Sequence, residues 1–466
     1  MINNRRIFSC FTLPGLMFLL LGFTFVFKVN AALIDLRQTA AIELNNTLKE
    51  CQFSEVVFKA NFEGARLDVC RQISDNTYLL EIDAESRPIN PSPWYAFTVQ
   101  SLQNFENTDS NSGLENKRVL SAGEEKDITI SIIIKAIDAR PRYLPKMQLS
   151  NGEWQLLDFT LNNSDSNGQT MEFTVTLDTN SQALPLKIAA QAIIDNQDYE
   201  DWTNKFIDKG LYQKVLIGSS TQGRPIHALV HQHSNNHEWL VLVGRMHPPE
   251  LTGAVAFLRF AEQLNQTNPK MNAFYKRFNV LMVPNVNPDG VANGNWRHNT
   301  KGADLNRDWG KFEQVETRVV NDYLTSLLEP KQSNIKDKSE GKKPKLVFAL
   351  DFHSTQQDIF YTMPNDYHVA PAYFSEEWLA DVKANTVSSF VVRNRPGSSP
   401  GRGVFKQFIA DTYNVHAVTY EMGDNTPNTL IKHVAQVSAN TLVDKMLVTP
   451  ASDFIYISNQ SGLGNN

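Results

Sequence analysis

Four continuous apolar runs constrain the fold of this chain more than any other feature. They are EWLVLVG (238–244), NVLMVPNVN (279–287), KLVFALDFH (345–353) and VHAVTYEMG (415–423). A strand with one wet face alternates apolar and polar residues, so runs as unbroken as these predict strands covered on both faces. Between them, apolar residues recur every three or four positions in ELTGAVAFLRFAEQL (250–264) and FEQVETRVVNDYLTSLL (312–328), which is helical spacing. Strands alternating with helices predict an α/β fold: a mixed, mostly parallel sheet with helices on both faces. Such sheets place ligands beyond the carboxyl ends of their strands. His247, His353 and Glu421 all fall at such ends.

The chain has 466 residues, too many for one average domain. Its first half reads differently. WYAFTVQ (94–100), DITISIIIKA (127–136) and MEFTVTL (171–177) are β-branched and aromatic runs, set apart by the turn compositions NTDSNSG and NNSDSNGQ. These predict an all-β antiparallel sandwich ahead of the α/β part. The expected layout is a sandwich over 32–195, an α/β domain over 196–450 and a tail over 451–466. The lysine-rich KQSNIKDKSEGKKPK (331–345) reads as a solvated insertion between a helix and a strand.

The start of the chain has its own logic. Arg5 and Arg6 precede an apolar run over 8–27, and KVNAA follows, with small residues at Ala31 and Ala32. That order predicts a secretory signal over 1–31, cleaved after Ala31, and export to a periplasm or the medium. An uncleaved anchor is the alternative, because about 20 apolar residues span a bilayer. Pro14, Gly15 and Gly22 interrupt the run and favour cleavage. No other stretch is long and apolar enough to span, so no membrane association is expected afterwards. Loss of Arg5, Arg6 and Lys28 leaves 41 basic against 50 acidic side chains, moving the formal charge from −6 to −9. A chain this acidic is not a general nucleic-acid binder. Cys10 leaves with the signal. Cys51 and Cys70 are then expected to form one disulfide, with buried free thiols as the alternative.

The motif HPPE sets His247 and Glu250 three residues apart, directly after an apolar strand. Its two prolines hold the connection as a rigid turn, so both side chains can face one point. His353 arrives from a separate strand, 103 positions after Glu250. Two imidazoles and one carboxylate, with a position left for water, make a catalytic zinc set rather than a closed structural one. One Zn²⁺ per chain is expected. His231, His233 and His237 also cluster, in HQHSNNHE, but that polar stretch reads more simply as a solvated turn.

Five motifs in order make the chain resemble a zinc metallocarboxypeptidase of the carboxypeptidase A clan, over about residues 211–446. HPPE resembles the family's first ligand pair, and DFHS supplies the third ligand. NPDGVANGNWRHN resembles a stretch whose arginine, here Arg297, polarises the scissile carbonyl. GADLNRDW resembles a motif whose Asn306 and Arg307 clamp the substrate's terminal carboxylate, and VTYEMGD supplies the catalytic carboxylate, Glu421. The resemblance also implies that Asp304 accepts the other ring proton of His247; a cap for the following turn is the equal alternative. PSPWYAFTVQ and RYLPKMQLSNGEWQLL are similar to the β-sandwich that precedes the catalytic domain in the cytosolic-carboxypeptidase subfamily. By count from Glu421, Lys406 stands where the family reads the side chain being removed, which implies a preference for acidic C-terminal residues; an ordinary surface lysine is the alternative. One departure stands out. The family places a tyrosine some twenty positions before its glutamate, where Ser399 stands here, and Tyr413 is too close to Glu421 to take that part. GSSPG (397–401) matches a serine-hydrolase elbow, but Pro396, Pro400 and Gly403 make it a loop.

The expected activity is therefore a zinc exopeptidase acting on the C-termini of peptides or proteins. Two alternatives are carried: a zinc deacylase or amidase of the same clan acting on a small amide or cell-wall peptide, and an inactive peptidase-like binding module.

Overall fold

The computed structural model describes residues 49–102, 127–164, 168–179, 184–329 and 343–455. The expected signal segment, all but the end of the lysine-rich insertion and most of the expected tail lie outside the described residues. The first strands are β1 (Glu50–Gln52), β2 (Val56–Lys59), β3 (Val69–Ser74), β4 (Thr77–Ile82), β5 (Ala96–Ser101), β6 (Ile128–Ala136), β7 (Lys146–Gln148), β8 (Trp154–Leu156), β9 (Phe159–Ser164), β10 (Gly168–Leu177) and β11 (Leu186–Ala189). They form a six-stranded sheet, β1-β2-β5-β11-β7-β8, and a five-stranded sheet, β3-β4-β6-β10-β9. Alternation in β6 turns Ile130, Ile132 and Ile134 inward, where they meet Phe58, Phe97 and Val99 of the other sheet in one core. Phe58 and Tyr78 touch edge to face across that core, 5.2 Å between ring centres. A Cys51–Cys70 disulfide ties β1 to β3, and so one sheet to the other.

The pairing is not wholly antiparallel, as the sequence led us to expect. β4 and β6 run parallel, because β5 lies between them in the chain but belongs to the other sheet. A chain that crosses over and returns arrives in the same direction.

The second half contains β12 (Gln213–Ser219), β13 (Pro225–His231), β14 (Glu238–Gly244), β15 (Phe278–Val283), β16 (Lys345–Thr355), β17 (Ile359–Thr362), β18 (Asn394–Pro396) and β19 (Ala417–Gly423), in one sheet of order β12-β13-β15-β14-β16-β19-β17-β18. The four apolar runs are its parallel centre: β15, β14, β16 and β19. Its helices are α1 (Asn196–Ile207), α2 (Leu251–Leu264), α3 (Pro269–Tyr275), α4 (Pro288–Asn293), α5 (Val315–Leu328), α6 (Phe374–Asn385), α7 (Phe405–Tyr413) and α8 (Asn428–Val448). Leu240 and Leu242 point to one face, into a core with Phe257 and Phe260 of α2 and Ile431 of α8. Val241 and Val243 point to the other, against Val320 and Leu324 of α5 and Ile409 of α7. Both faces are covered, which is why these strands carry no polar alternation. Among the described residues no helix is long and apolar enough to cross a membrane.

Two local features bring the site together. A Cβ at Gly253, in the first turn of α2, would collide with the backbone carbonyl of His353, so only glycine lets that helix sit so close to β16. The core between the first two sheets also takes in Leu251 and Trp296, both fully covered. These two residues flank Glu250 and Arg297.

Candidate metal and active site

His247 and Glu250 occupy the turn between β14 and α2. Arg245 enters that turn at φ +56°, and its Nε donates to the carbonyl of Pro248 at 2.8 Å. The same guanidinium donates to Tyr199 Oη and to the carbonyl of Ile194, so a buried fork fixes the shape that the prolines begin. His353 comes from near the end of β16. The next residue, Ser354, accepts from the Gly253 N–H at 2.8 Å and donates its own N–H to Glu250 Oε2 at 3.1 Å. Strand and helix thus hold the three side chains together.

Their geometry is that of a cation site. His247 Nδ1 lies 3.0 Å from Glu250 Oε1, His353 Nδ1 lies 2.7 Å from Glu250 Oε2, and the two Nδ1 atoms are 3.1 Å apart. Each ring turns its Nε2 to a carboxylate: His247 to Asp304 Oδ1 at 2.9 Å, His353 to Asp351 Oδ2 at 2.8 Å. With each Nε2–H donating to its carboxylate, two imidazole lone pairs and a carboxylate converge in a pocket where each residue is 5 % exposed or less. Three electron-pair donors pressed together without water repel unless a cation lies among them. Proton affinities carry the same message. Burial would lower the His353 pKa, but Asp351 and Glu250 hold it well above the ordinary imidazole value. Burial would raise Glu250, but His247 and His353 hold it well below the carboxylate range. The set fits one zinc ion.

Glu421 stands on β19 in direct register with His353. Its Oε2 is buried without a hydrogen-bond partner. Burial pushes its pKa up to about 8, with Glu250 and Asp351 adding and His353 and Arg142 opposing. Arg297 reaches in from the loop after α4; its Nε donates to Asp304 Oδ2 at 2.8 Å and its Nη1 lies 3.7 Å from Glu250. Asp304 therefore bridges His247 and Arg297 and also accepts the Asn306 backbone N–H at 2.9 Å, so the same carboxylate both holds the imidazole and caps the turn over Leu305–Arg307. All of this opens on a cleft of about 520 Å³.

Residues 199–454 match the family model for zinc carboxypeptidases, peptidase M14. The chain belongs to the zinc carboxypeptidase family. Human cytosolic carboxypeptidase 1 is 36% identical over 77 residues, which is 16% of this chain and 6% of the human protein. Mouse cytosolic carboxypeptidase 4 is 36% identical over 120 residues, 26% of this chain and 10% of the mouse protein. The matched segments thus span a tenth or less of these curated relatives. Two solved structures share the fold. The metallo-carboxypeptidase from Burkholderia cenocepacia has a TM-score of 0.62 at 14% identity, covering 84% of this chain and 99% of that one. The metallo-carboxypeptidase from Pseudomonas aeruginosa, in complex with (2-guanidinoethylmercapto)succinic acid, has a TM-score of 0.59 at 16% identity, covering 84% and 99%.

The residues expected to clamp a terminal carboxylate and to read the side chain beside it divide. Arg307 lines the cleft with its Nη1 donating to the carbonyl of Asn306. Asn306 also borders the cleft, but its amide turns into the protein: Nδ2 donates to Asp351 Oδ2 at 3.3 Å and packs against the His353 ring, and Oδ1 accepts the Phe405 N–H at 2.9 Å. Lys406 is not a surface lysine. It is 5 % exposed at the start of α7, borders the cleft, and donates to the carbonyls of Thr362, at 2.8 Å, and Gly397. Burial lowers its pKa to about 8.

Several residues of the site went unseen in the sequence. Asp351 had a usable signal: in DFH it stands two residues before His353, which on a strand means the same face. Tyr361 of β17 lines the cleft near Ser399, and Arg142 reaches it from the loop before β7. Tyr361 lies in no quoted stretch, and Arg142 opens RYLPKMQLSNGEWQLL, which points to the β-sandwich and not to the site.

Proposed function

We propose that this metallopeptidase is an exopeptidase that hydrolyses the C-terminal peptide bond of peptide or protein chains, with acidic C-terminal residues preferred. One observation carries the reading. The His247–Glu250–His353 cluster and Glu421 share a single cleft with Arg307, Arg395 and Arg402. Among the described residues none of those three arginines makes an ion pair within 4 Å, although Asp304 stands close enough to Arg307 to raise its pKa. A cleft holding unpaired guanidinium groups is built for carboxylates, and a peptide C-terminus brings one carboxylate by its backbone and a second when its side chain is acidic.

His247, Glu250 and His353 would hold the zinc, with Asp304 and Asp351 fixing the rings so that both Nδ1 atoms face inward. A bound zinc ion lowers the pKa of water toward ~7 and polarises a carbonyl oxygen. Glu421 takes the proton of the attacking water and returns it to the leaving amine. Arg297, already aligned by Asp304, donates to the carbonyl oxygen as negative charge develops there. Arg307 takes the terminal carboxylate in a planar fork. Tyr361, the tyrosine among the residues lining this cleft, offers a phenol that Ser399 does not.

The reading extends to the whole chain as a precursor with a cleaved signal over 1–31, a sandwich over 32–195 and a catalytic domain over 196–450, exported to a periplasm or the medium; the basic-then-apolar start and the V-N-A ending support it. The test is a pair of peptides differing only in a free or amidated C-terminus, each assayed with and without a chelator. The free peptide should lose its last residue, the amidated one should not, and chelation should stop the reaction until zinc is restored. Equal turnover of the amidated peptide would transfer the reading to an amidase, and turnover of neither would point to a binding module.

A further inference from the structure

Asn295 and Asn299 brace the loop that carries Arg297 from within, through bonds to His298, Lys301 and Ala303, but the backbone amides of Trp296, Arg297 and His298 are held from outside it. Glu85, in the segment between β4 and β5, accepts three consecutive backbone N–H groups of that loop: Trp296 at 2.7 Å, Arg297 at 3.0 Å and His298 at 2.7 Å. Its Oε1 also meets His298 Nδ1 at 2.9 Å. Three successive amides turned toward one carboxylate form an anion-binding concavity, and here the anion is part of the chain. The neighbouring side chain is anchored in the same place. Trp296 is 1 % exposed and lies in the core between the first two sheets, with Leu251 beside it. On its other side Arg297 is held by Asp304.

We propose that Glu85 is a positioning residue of the active site: by gathering the amides of Trp296, Arg297 and His298 it sets where the Arg297 guanidinium stands against the scissile carbonyl. The inference rests on the role given above to Arg297. It makes the β-rich half part of the catalytic apparatus. A guanidinium that stabilises developing charge must be in place before that charge forms, and a misplacement of 1 Å far from the chemistry costs about 10²-fold in rate. Glu85→Gln is the informative change. It keeps size and one acceptor oxygen, removes the charge, and sets an amide NH₂ against backbone N–H groups that have no use for it.

The experiment is a double-mutant cycle on the zinc-loaded full chain: wild type, Glu85→Gln, Arg297→Ala and the double variant, with zinc content, thermal melt, kcat and KM measured for each. Glu85→Gln should keep its zinc and a cooperative melt, lose on the order of 10²-fold in kcat and keep KM for a C-terminally free peptide nearly unchanged. In the Arg297→Ala background the same substitution should cost less than about twofold, because the group it positions is gone. If Glu85→Gln does not fold, Glu85→Asp, which keeps the charge but shortens the reach, replaces it in the cycle. An equal loss in both backgrounds, or a kcat within about twofold of wild type, overturns the proposal while leaving Arg297 its role. A fully active Arg297→Ala overturns both.

Discussion

His353 and Glu421 are register partners on two adjacent parallel strands, β16 and β19. Their side chains therefore leave the sheet on the same face, at the carboxyl ends where the turn with His247 and Glu250 also arrives. Asp351, two residues earlier on β16, shares that face and holds the ring of His353. A slip of one residue in the β16–β19 register would send Glu421 into the opposite core, so the fold leaves no second place for it.

That placement makes Glu421 the group to test for proton transfer. Glu421→Gln should retain zinc and fold, because Glu421 is no part of the ligand cluster, yet lose about 10²–10⁴ in kcat. Turnover near that of wild type would locate the base elsewhere.

The metal cluster gives a graded prediction. His247→Ala should abolish zinc binding, while His237→Ala, on the turn before β14, should leave the zinc content at one per chain. Asp351→Asn should lie between them. It keeps the shape but weakens the hold on His353 Nε2, and loss of such an outer partner costs about 10–100-fold in metal affinity. Competition with a zinc chelator measures all three. Wild-type affinity in His247→Ala would remove it from the ligand set.

The parts of this molecule legible in its sequence are those where local pattern and final environment agree. The four central strands had to be apolar on both faces, and their ends point to the site without any tertiary information. HPPE is legible because its spacing and its prolines act within one turn. The short strands β17 and β18 were not, being four and three residues long with no pattern of their own. Asn306 was only partly legible for a related reason. Its motif fixes the turn, but whether its amide faces substrate or His353 depends on where β16 and the start of α7 end up. Lys406 needed the same knowledge, since only the carbonyls of Thr362 and Gly397 separate a buried cation from a surface one. Glu85 lies outside every motif and Arg142 only in a stretch that resembles the β-sandwich, so long-range packing alone brings them to the site.

Glu85 also predicts a pH dependence of stability. Burial opposes its ionisation, but the His298 ring and the loop amides outweigh burial and lower its pKa to about 2, against an ordinary 4.5. A depressed carboxylate contributes stability that is complete above about pH 4.5 and lost as the pH falls toward 2, to a limit of ~3 kcal/mol. Other carboxylates titrate in the same window, so the difference between wild type and Glu85→Gln isolates the contribution. Urea midpoints should differ most near neutrality and converge by about pH 2–3. A gap that does not narrow on acidification would mean that the Glu85 charge contributes nothing to the fold.

Specificity depends on how the cations of the cleft are divided. Arg307 is half-buried, and burial lowers its pKa; Asp304 opposes that, while the nearby charges of Arg297 and Arg402 add to it. Arg395 and Arg402 are exposed at the cleft rim, and Lys406 lies beneath them with two of its three protons committed to carbonyls. One carboxylate satisfies Arg307; a second, on the side chain of the residue to be removed, would relieve the rest. In a panel of peptides differing only in the last residue, Glu and Asp should lead by kcat/KM. The two classes of cation should then separate. Arg402→Glu reverses a charge that nothing else uses, so the preference for Glu over Lys should fall by on the order of 10-fold. Lys406→Glu is the wrong probe, because it would press a carboxylate against two carbonyl oxygens. Lys406→Met leaves those carbonyls unpaired at a cost of about 1–3 kcal/mol in stability, and should weaken the acidic preference without creating a basic one. If large apolar residues lead the panel and neither Arg402→Glu nor Lys406→Met alters the order, the cations of this cleft bind only the terminal carboxylate and the side-chain pocket lies elsewhere.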